Sequence, residues 1–384
     1  MALLTTWRAG SERRSVFVRL ARINWLFVLL ATLIAAIGFA LLYSAANGNL
    51  EPWALRQMAR FGGGFLLMLA IAVVDIRFWL RWAYLIYCGA LALLAFVELA
   101  GVTGMGATRW LDVGLLQLQP SEMMKIALVL ALARYLHGST SEQIVRWRTF
   151  AVPGLLTLLP AGLVFAQPDL GTGIILVLIA ATVLFLAGAR LWKLGVLAGL
   201  GLSAVPLAWQ FLKEYQKKRI LTFLDPEQDP LGAGYHILQS KIALGSGGVW
   251  GKGFLQGSQS QLNFLPEKQT DFIFTMLAEE FGLMGALLLL LLYVGLVVIG
   301  LGIALSSASL FGRLVALGIM TMFFLYVFIN IAMVMGLVPV VGVPLPLVSY
   351  GGSALIALLA GFGFVLNAGV HRDVALPRTA LAFR

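Results

Sequence analysis

The sequence predicts an all-α polytopic membrane protein, with ten transmembrane helices and one long extracytoplasmic loop between the seventh and the eighth. Three observations lead there. The chain has 384 residues, of which 60% are hydrophobic and 11% charged, whereas soluble domains carry about 25% charge. The apolar residues fall in runs of about seventeen or more, a length suited to crossing hydrocarbon. Those runs are continuous and lack the alternation of barrel strands. One membrane domain, 1–384, follows.

The expected elements run in order as follows. A cytoplasmic N-terminus, 1–23, carries Arg8, Arg13, Arg14, Arg19 and Arg22. The first span, 24–44, is too long for a signal-peptide core and stays uncleaved. Spans at 57–74 and 81–100 flank Arg77 and Arg81. Cys88, in the third, reads as a small packing residue; a lone cysteine and 3 histidines exclude an internal disulfide and a Cys/His metal cluster. Short spans at 122–137, 150–166 and 171–188 follow, then 191–211. The loop 212–271 precedes spans at 272–300, 312–336 and 350–369, and 370–384 is a cytoplasmic C-terminus.

Orientation follows from basic residues in short loops. With the N-terminus inside, 16 of the 27 Lys and Arg lie in cytoplasmic segments, and the short outer loops hold only Arg56, Arg60, Arg109 and Lys125. The net charge of +10 therefore reflects topology and attraction to anionic lipid, not nucleic-acid binding.

The long loop contains three recognisable pieces. Asp225, Glu227 and Asp229 alternate like a calcium loop, but Pro230 stands where that loop needs glycine and His236 where it needs glutamate, so a proline-rich turn is the better reading. Ile237, Leu238, Lys241, Ile242 and Leu244 share one helical face, and Gly245 supplies a stop, which predicts a short helix on the outer interface. The glycine-rich stretch Gly245–Gly253 lacks the spacing of a phosphate loop, since Ser246 and Gly253 replace its first glycine and final hydroxyl. Its amides and Lys252 could still approach a diphosphate.

Ionisable residues beside the outer ends of spans are functional candidates, because charge there is costly. Glu122 and Lys125 lie three apart and can pair on one helical face, either as a structural ion pair or as a site; Ser121 could cap that helix. Arg109 and Trp110 suit a diphosphate and a sugar face, but also an interfacial belt. Asp169 reads as a helix cap. The eighth span, from Phe272 to Gly300, exceeds the length needed to cross the bilayer. Counted from its inner end as a continuous helix, the hydrocarbon boundary falls near Glu279 and Glu280, and Asp271 stands roughly 12–14 Å farther out. A lipid diphosphate would lie level with Glu280 and its sugar level with Asp271. An N-cap aided by Thr270 is the competing reading of Asp271.

Segment 219–285, with Leu265 through Asp271 and Ala278 through Gly282, resembles the shape, elongation, division and sporulation (SEDS) family. So do Asn330 through Gly342, Ser349 through Ser353, Trp110, Gln119 through Glu122 with Lys125, and Gln167 through Thr172. Asp225 through Ala243 is more similar to the rod-shape branch than to the division branch; Gln269 and Phe281 are small departures. The resemblance spans essentially the whole chain. It implies a peptidoglycan glycosyltransferase that polymerises lipid II on the outer face of a bacterial plasma (inner) membrane during elongation. Its implied partners are a class B penicillin-binding protein and other elongation proteins. The family's essential aspartate falls on Asp271, and its functional Trp and Glu/Lys pair on Trp110, Glu122 and Lys125.

The expected chemistry is inverting transfer with Asp271 as general base. Lys125, Arg109 and Lys252 would stabilise the departing diphosphate, a divalent cation (Mg2+ or Mn2+) could assist, and Glu122 would position Lys125 or help hold that cation. A lipid II flippase and a non-catalytic scaffold are the alternatives. A flippase should carry ionisable residues near the midplane, whereas those in this sequence cluster near the outer surface.

Overall fold

The computed structural model describes residues 15–104, 107–112, 114, 117–212, 214–225, 233–261 and 267–377. The proline-rich turn at 226–230, Arg8, Arg13, Arg14 and the end of the C-terminus lie outside these residues.

The helices are α1 (Val16–Ala21), α2 (Trp25–Ala45), α3 (Ala54–Val73), α4 (Ile76–Ala100), α5 (Pro120–His137), α6 (Ser141–Ile144), α7 (Ala151–Ala166), α8 (Leu170–Leu186), α9 (Leu191–Ser203), α10 (Val205–Phe211), α11 (Glu214–Leu224), α12 (Ala233–Ser246), α13 (Ser258–Gln261), α14 (Ile273–Ser306), α15 (Leu310–Val334) and α16 (Gly352–Val370). Among the described residues, 6 helical stretches are long and apolar enough to cross a membrane, including α2, α14, α15 and α16. Side chains set several starts: Asn24 accepts from Phe27 N at 3.1 Å, Asp75 from Arg77 N at 2.9 Å and Ser309 from Gly312 N at 3.1 Å. The core centres on α5, α15 and α16, where side chains from Met124 to Ala133 are almost wholly enclosed.

Several expectations change. The all-helical architecture holds, with one local addition: β1 (Val102–Gly104), β2 (Ala107–Asp112) and β3 (Gln117–Leu118) form a small antiparallel sheet between α4 and α5. Leu111 and Leu118 are partners in its second ladder. The stretch expected as a seventh span is split between α9 and α10, where Pro206 fits the first turn of a new helix but not the interior of a long one. Among its described residues, the long loop contains three helices, α11, α12 and α13. α12 lies where the short helix was expected, yet Leu238 and Ile242 face outward, and Ser240 and Ala243 make the buried contact. Small residues allow close approach there: Ser240 Oγ lies 2.8 Å from Thr275 Oγ1 and donates to Val334 O at 2.9 Å. Cys88 is exposed on α4 and is not a packing residue.

The main departure is in α14, which is not continuous. Gly282 adopts φ 65° and ψ −162°, a region open to glycine and closed to L side chains. The height computed for Asp271 assumed an unbroken helix and does not hold.

Candidate active site

The break at Gly282 frees backbone groups on both sides, and buried groups of this kind need partners. The glycine-rich stretch supplies them. Lys252 N and Gly253 N donate to Glu279 O and Glu280 O at 3.0 Å each. In return, Leu283 N and Met284 N donate to Gly248 O and Val249 O at 2.9 and 3.1 Å. A methyl group on Gly251 would collide with Glu280 O, which is why glycine is needed at this approach. The stretch is a splint across a broken helix, and its Lys252 and Gly253 amides are committed to that role.

Above the break, Phe272 through Glu280 are all buried. Asp271 precedes this half-helix and is 9% exposed. It does not cap the helix: the cap position is Phe272, with no side-chain capping bond. Thr270 gives no help to a cap, since its N–H and hydroxyl both donate to Glu267 O, at 3.0 and 3.2 Å. Asp271 is instead fixed through the backbone. Asn330 Nδ2, on α15, donates to Asp271 O at 3.0 Å and to Val343 O at 2.7 Å. Ser349 Oγ donates to Thr270 O and accepts from Leu345 N at 2.8 Å, while Tyr350 N donates to Gln269 O at 2.8 Å. The 342–351 loop thus clamps the segment that presents the acid. Burial is the main cause that raises the Asp271 pKa to about 7; Glu267 adds to the rise and Arg219 opposes it.

Behind that loop, Lys125 Nζ meets Glu122 Oε1 at 2.7 Å and sits 4.4 Å from the centre of the Tyr326 ring. The Tyr326 hydroxyl donates to the same Glu122 oxygen at 3.0 Å. Lys125 is 0% exposed. The cavity beside Glu122, which Ser349 and Gly351 also line, is only about 30 Å³. Glu122 and Tyr326 thus enclose the Lys125 ammonium in this structure. Ser121 is not a cap; Gln119 occupies that position without a side-chain bond, and Pro120 begins the helix.

Arg109 and Trp110 lie on β2. Arg109 Nε donates to Gln167 O at 3.2 Å, its Nη2 donates to Pro168 O, and Nη1 lies 3.8 Å from Asp169 Oδ2. Asp169 caps α8 as expected, accepting from Thr172 N at 3.2 Å and Thr172 Oγ1 at 3.0 Å. Together they close one end of a cavity of about 360 Å³. Arg219 and Gln216 from α11 line it too, with apolar walls from Ile174, Leu178, Ile329 and Val341.

Lys252 Nζ pairs with the fully buried Glu279 at 2.8 Å and also donates to Ser258 Oγ at 2.8 Å. Contact with a diphosphate would require it to exchange Glu279. Glu280 is 1% exposed; its Oε1 accepts from Ser44 Oγ of α2. It faces the bundle and not the cavity that Arg109 lines.

Sequence pattern alone does not mark Arg219, Asn330, Tyr326 and Ser349 as site residues. The basic run at 213–219 was a signal for Arg219; a buried Asn in an apolar helix was a signal for Asn330. Among the described residues, no group of three or more His, Cys, Asp or Glu is placed to hold a metal ion.

Comparison with known proteins completes the description. A family model, FTSW_RODA_SPOVE (cell cycle protein), matches residues 23–374. The chain is 47% identical over 350 residues to peptidoglycan glycosyltransferase MrdB of Escherichia coli K12, covering 91% of this chain and 93% of the relative. It is 39% identical to stage V sporulation protein E of Bacillus subtilis, with 89% and 95% covered. Among solved structures, a chain from a peptidoglycan synthase complex that coordinates polymerization and crosslinking superposes with a TM-score of 0.77 at 37% identity, covering 91% of this chain and 98% of that one. The rod shape determining protein RodA of Thermus thermophilus gives 0.69 at 34% identity, with 91% and 97% covered.

Proposed function

The chain belongs to the FtsW/RodA/SpoVE family of cell cycle proteins, and from that premise we propose how its outer end performs glycosyl transfer. It is a peptidoglycan glycosyltransferase and a multi-pass bacterial membrane protein. Its substrate in this reading is lipid II, which it joins into glycan strands during cell elongation.

The observation that carries the reading is Asp271. It is enclosed, caps nothing, is held by its backbone, and has a pKa near the working pH of a general base. Its carboxylate takes the proton of the acceptor sugar's 4-hydroxyl. That oxygen attacks the anomeric carbon of the donor MurNAc, and the bond from that carbon to the diphosphate oxygen breaks. The electron pair leaves with the lipid diphosphate. One displacement converts an α donor to a β-1,4 product with no covalent enzyme intermediate.

Arg219, whose charge acts on Asp271, lines a cavity with Arg109; the two supply cationic character for the leaving diphosphate, while the apolar walls suit its lipid. Trp110, on the same strand as Arg109, supports a sugar face. Glu122 and Lys125 brace the 342–351 loop from behind. Lys252 keeps the half-helix in place through Glu279, and Glu280 ties it to α2. Ten crossings, with both termini cytoplasmic and the 212–271 segment outside, put the cavity at the outer surface of the plasma membrane. A class B penicillin-binding protein is the proposed partner.

The test is polymerisation of lipid II by the purified protein with and without that partner. Asp271→Asn should abolish product while the protein stays folded and partner-bound. Full activity of this variant would remove Asp271 as the base. Lipid II translocation without polymerisation would favour a flippase.

A further inference from the structure

At the other end of the bundle lies a cavity of about 410 Å³ that the transferase chemistry does not use. Three helix ends meet there: the start of α2 at Asn24, the end of α14 at Ile299–Ser306, and the end of α16 at Gly369–Arg372. Arg22 and Arg372 stand at it, and Ile299, Gly302 and Ile303 line it. A Cβ added to Gly302 would meet nothing within 4 Å, so the floor is open there.

Charge and shape both point to one class of occupant. Asp373 takes Arg22 Nη1 at 2.7 Å and lies 3.8 Å from Arg372 Nε. One carboxylate between two guanidiniums leaves positive charge, and a guanidinium with five donors can meet a second oxyanion. Arg19, whose Nη1 donates to Val73 O at 2.7 Å, adds to the field. The walls continue into apolar, outward-facing surface: Leu26, Leu29 and Leu33 on α2 are 55%, 53% and 44% exposed, and Val298 and Leu305 on α14 are 60% and 66% exposed. Trp25, 51% exposed, marks the level of the membrane interface on α2. α1 presents Phe17, 83% exposed, in the manner of a segment lying on that interface.

We propose that this cavity is a binding site for the headgroup of an anionic phospholipid of the cytoplasmic leaflet, with its phosphate between Arg22 and Arg372 and its chains along α2 and α14. The leaflet rests on the orientation given above; the binding itself does not. Basic pockets between helices at this face are suited to anionic headgroups.

Native mass spectrometry of the purified full-length protein, equilibrated with micelles containing phosphatidylglycerol or phosphatidylcholine, tests it. The protein should retain phosphatidylglycerol at least about tenfold better, and Arg22→Gln/Arg372→Gln should remove the preference. The charge-matched control Arg148→Gln/Arg190→Gln should keep it. Gly302→Leu, which fills the floor and leaves both arginines, should also lower retention and covers the case in which the double variant fails to fold. Equal loss in the control pair would mean diffuse attraction and overturn the site. Displacement of phosphatidylglycerol by millimolar inorganic phosphate would overturn the lipid assignment. Unchanged preference in Gly302→Leu and in a folded double variant would overturn both. None of these readouts involves polymerisation, so failure here is separable from failure of the transferase reading.

Discussion

The two halves of α14 are one helix by hydropathy and two different objects in the fold. Above Gly282, every residue from Ile273 to Glu280 is buried, including two glutamates. Below it, burial recurs at Ala286, Leu289, Tyr293, Leu296 and Gly300, the helical period, while Leu287, Leu288, Leu291 and Val294 face outward at 48–68% exposure. The lower half is an ordinary span with one face toward lipid. The upper half is a short rod enclosed by protein, broken off and splinted so that it can hold Asp271 in a fixed place. Charge follows the same division: the upper half contains Glu279 and Glu280, each with a hydrogen-bonding partner, and the lower half has none.

The contrast can be broken hardest at Asp271. Asp271→Asn should lower lipid II polymerisation by about 10²–10⁴-fold, the range of general acid–base catalysis, with thermal stability unchanged or raised. Lys125→Met comes next. It leaves Glu122 buried without its cation, a change that costs about 3–5 kcal/mol and should show as a lower melting temperature in detergent. Gly282→Ala forces a side chain into a left-handed conformation against Gly251 N and Val249 O. It should cost about 1–3 kcal/mol, with kcat reduced more than lipid II binding. If Gly282→Ala were silent, the separation of the two halves would carry no functional weight.

A finer test uses pH. A general base must be ionised, so turnover should rise with pH through about 7, and Arg219→Gln should move that limb upward by removing the opposing cation. The linkage has the opposite sign for stability. The folded pKa of about 7 lies above the ordinary value of 3.8, so the Asp271 contribution is complete below 3.8 and is lost as pH rises toward 7. A pH-independent rate over this range would remove the acid from the chemical step. The smallest effect belongs to the lower half: Leu291→Ala, on a lipid-facing side chain 68% exposed, should change stability by less than about 0.5 kcal/mol and leave activity intact.

Much of this was legible in the sequence. Asp169 as a cap and the helix near 234–245 could be read from local pattern, because capping and amphipathic spacing act within a few residues. Glu122 and Lys125 could be paired by spacing alone. Their enclosure by Tyr326 and the 342–351 loop could not, because those groups lie about 200 residues away in the chain. The glycine-rich stretch is legible as unusual, but its part as a splint is not, since its partners, the carbonyls of Glu279 and Glu280, become available only when the helix breaks. Asp271 is legible from its place at a loop-to-helix junction, but its height along the helix is not, because the helix breaks at Gly282.

The sequence by itself determined the solvent and the local elements. Apolar runs long enough to span a bilayer, caps within one turn of each helix, and unequal basic charge all act over short distances, so no long-range contact is needed to read them. Tertiary structure alone decided what these charges touch. Whether Asp271 caps a helix or stands uncapped in a clamp, and whether Lys125 meets substrate or a buried glutamate, depends on which distant backbone groups arrive beside them. In a water-poor environment those arrivals decide whether a charge is a catalyst, a brace or an intolerable cost.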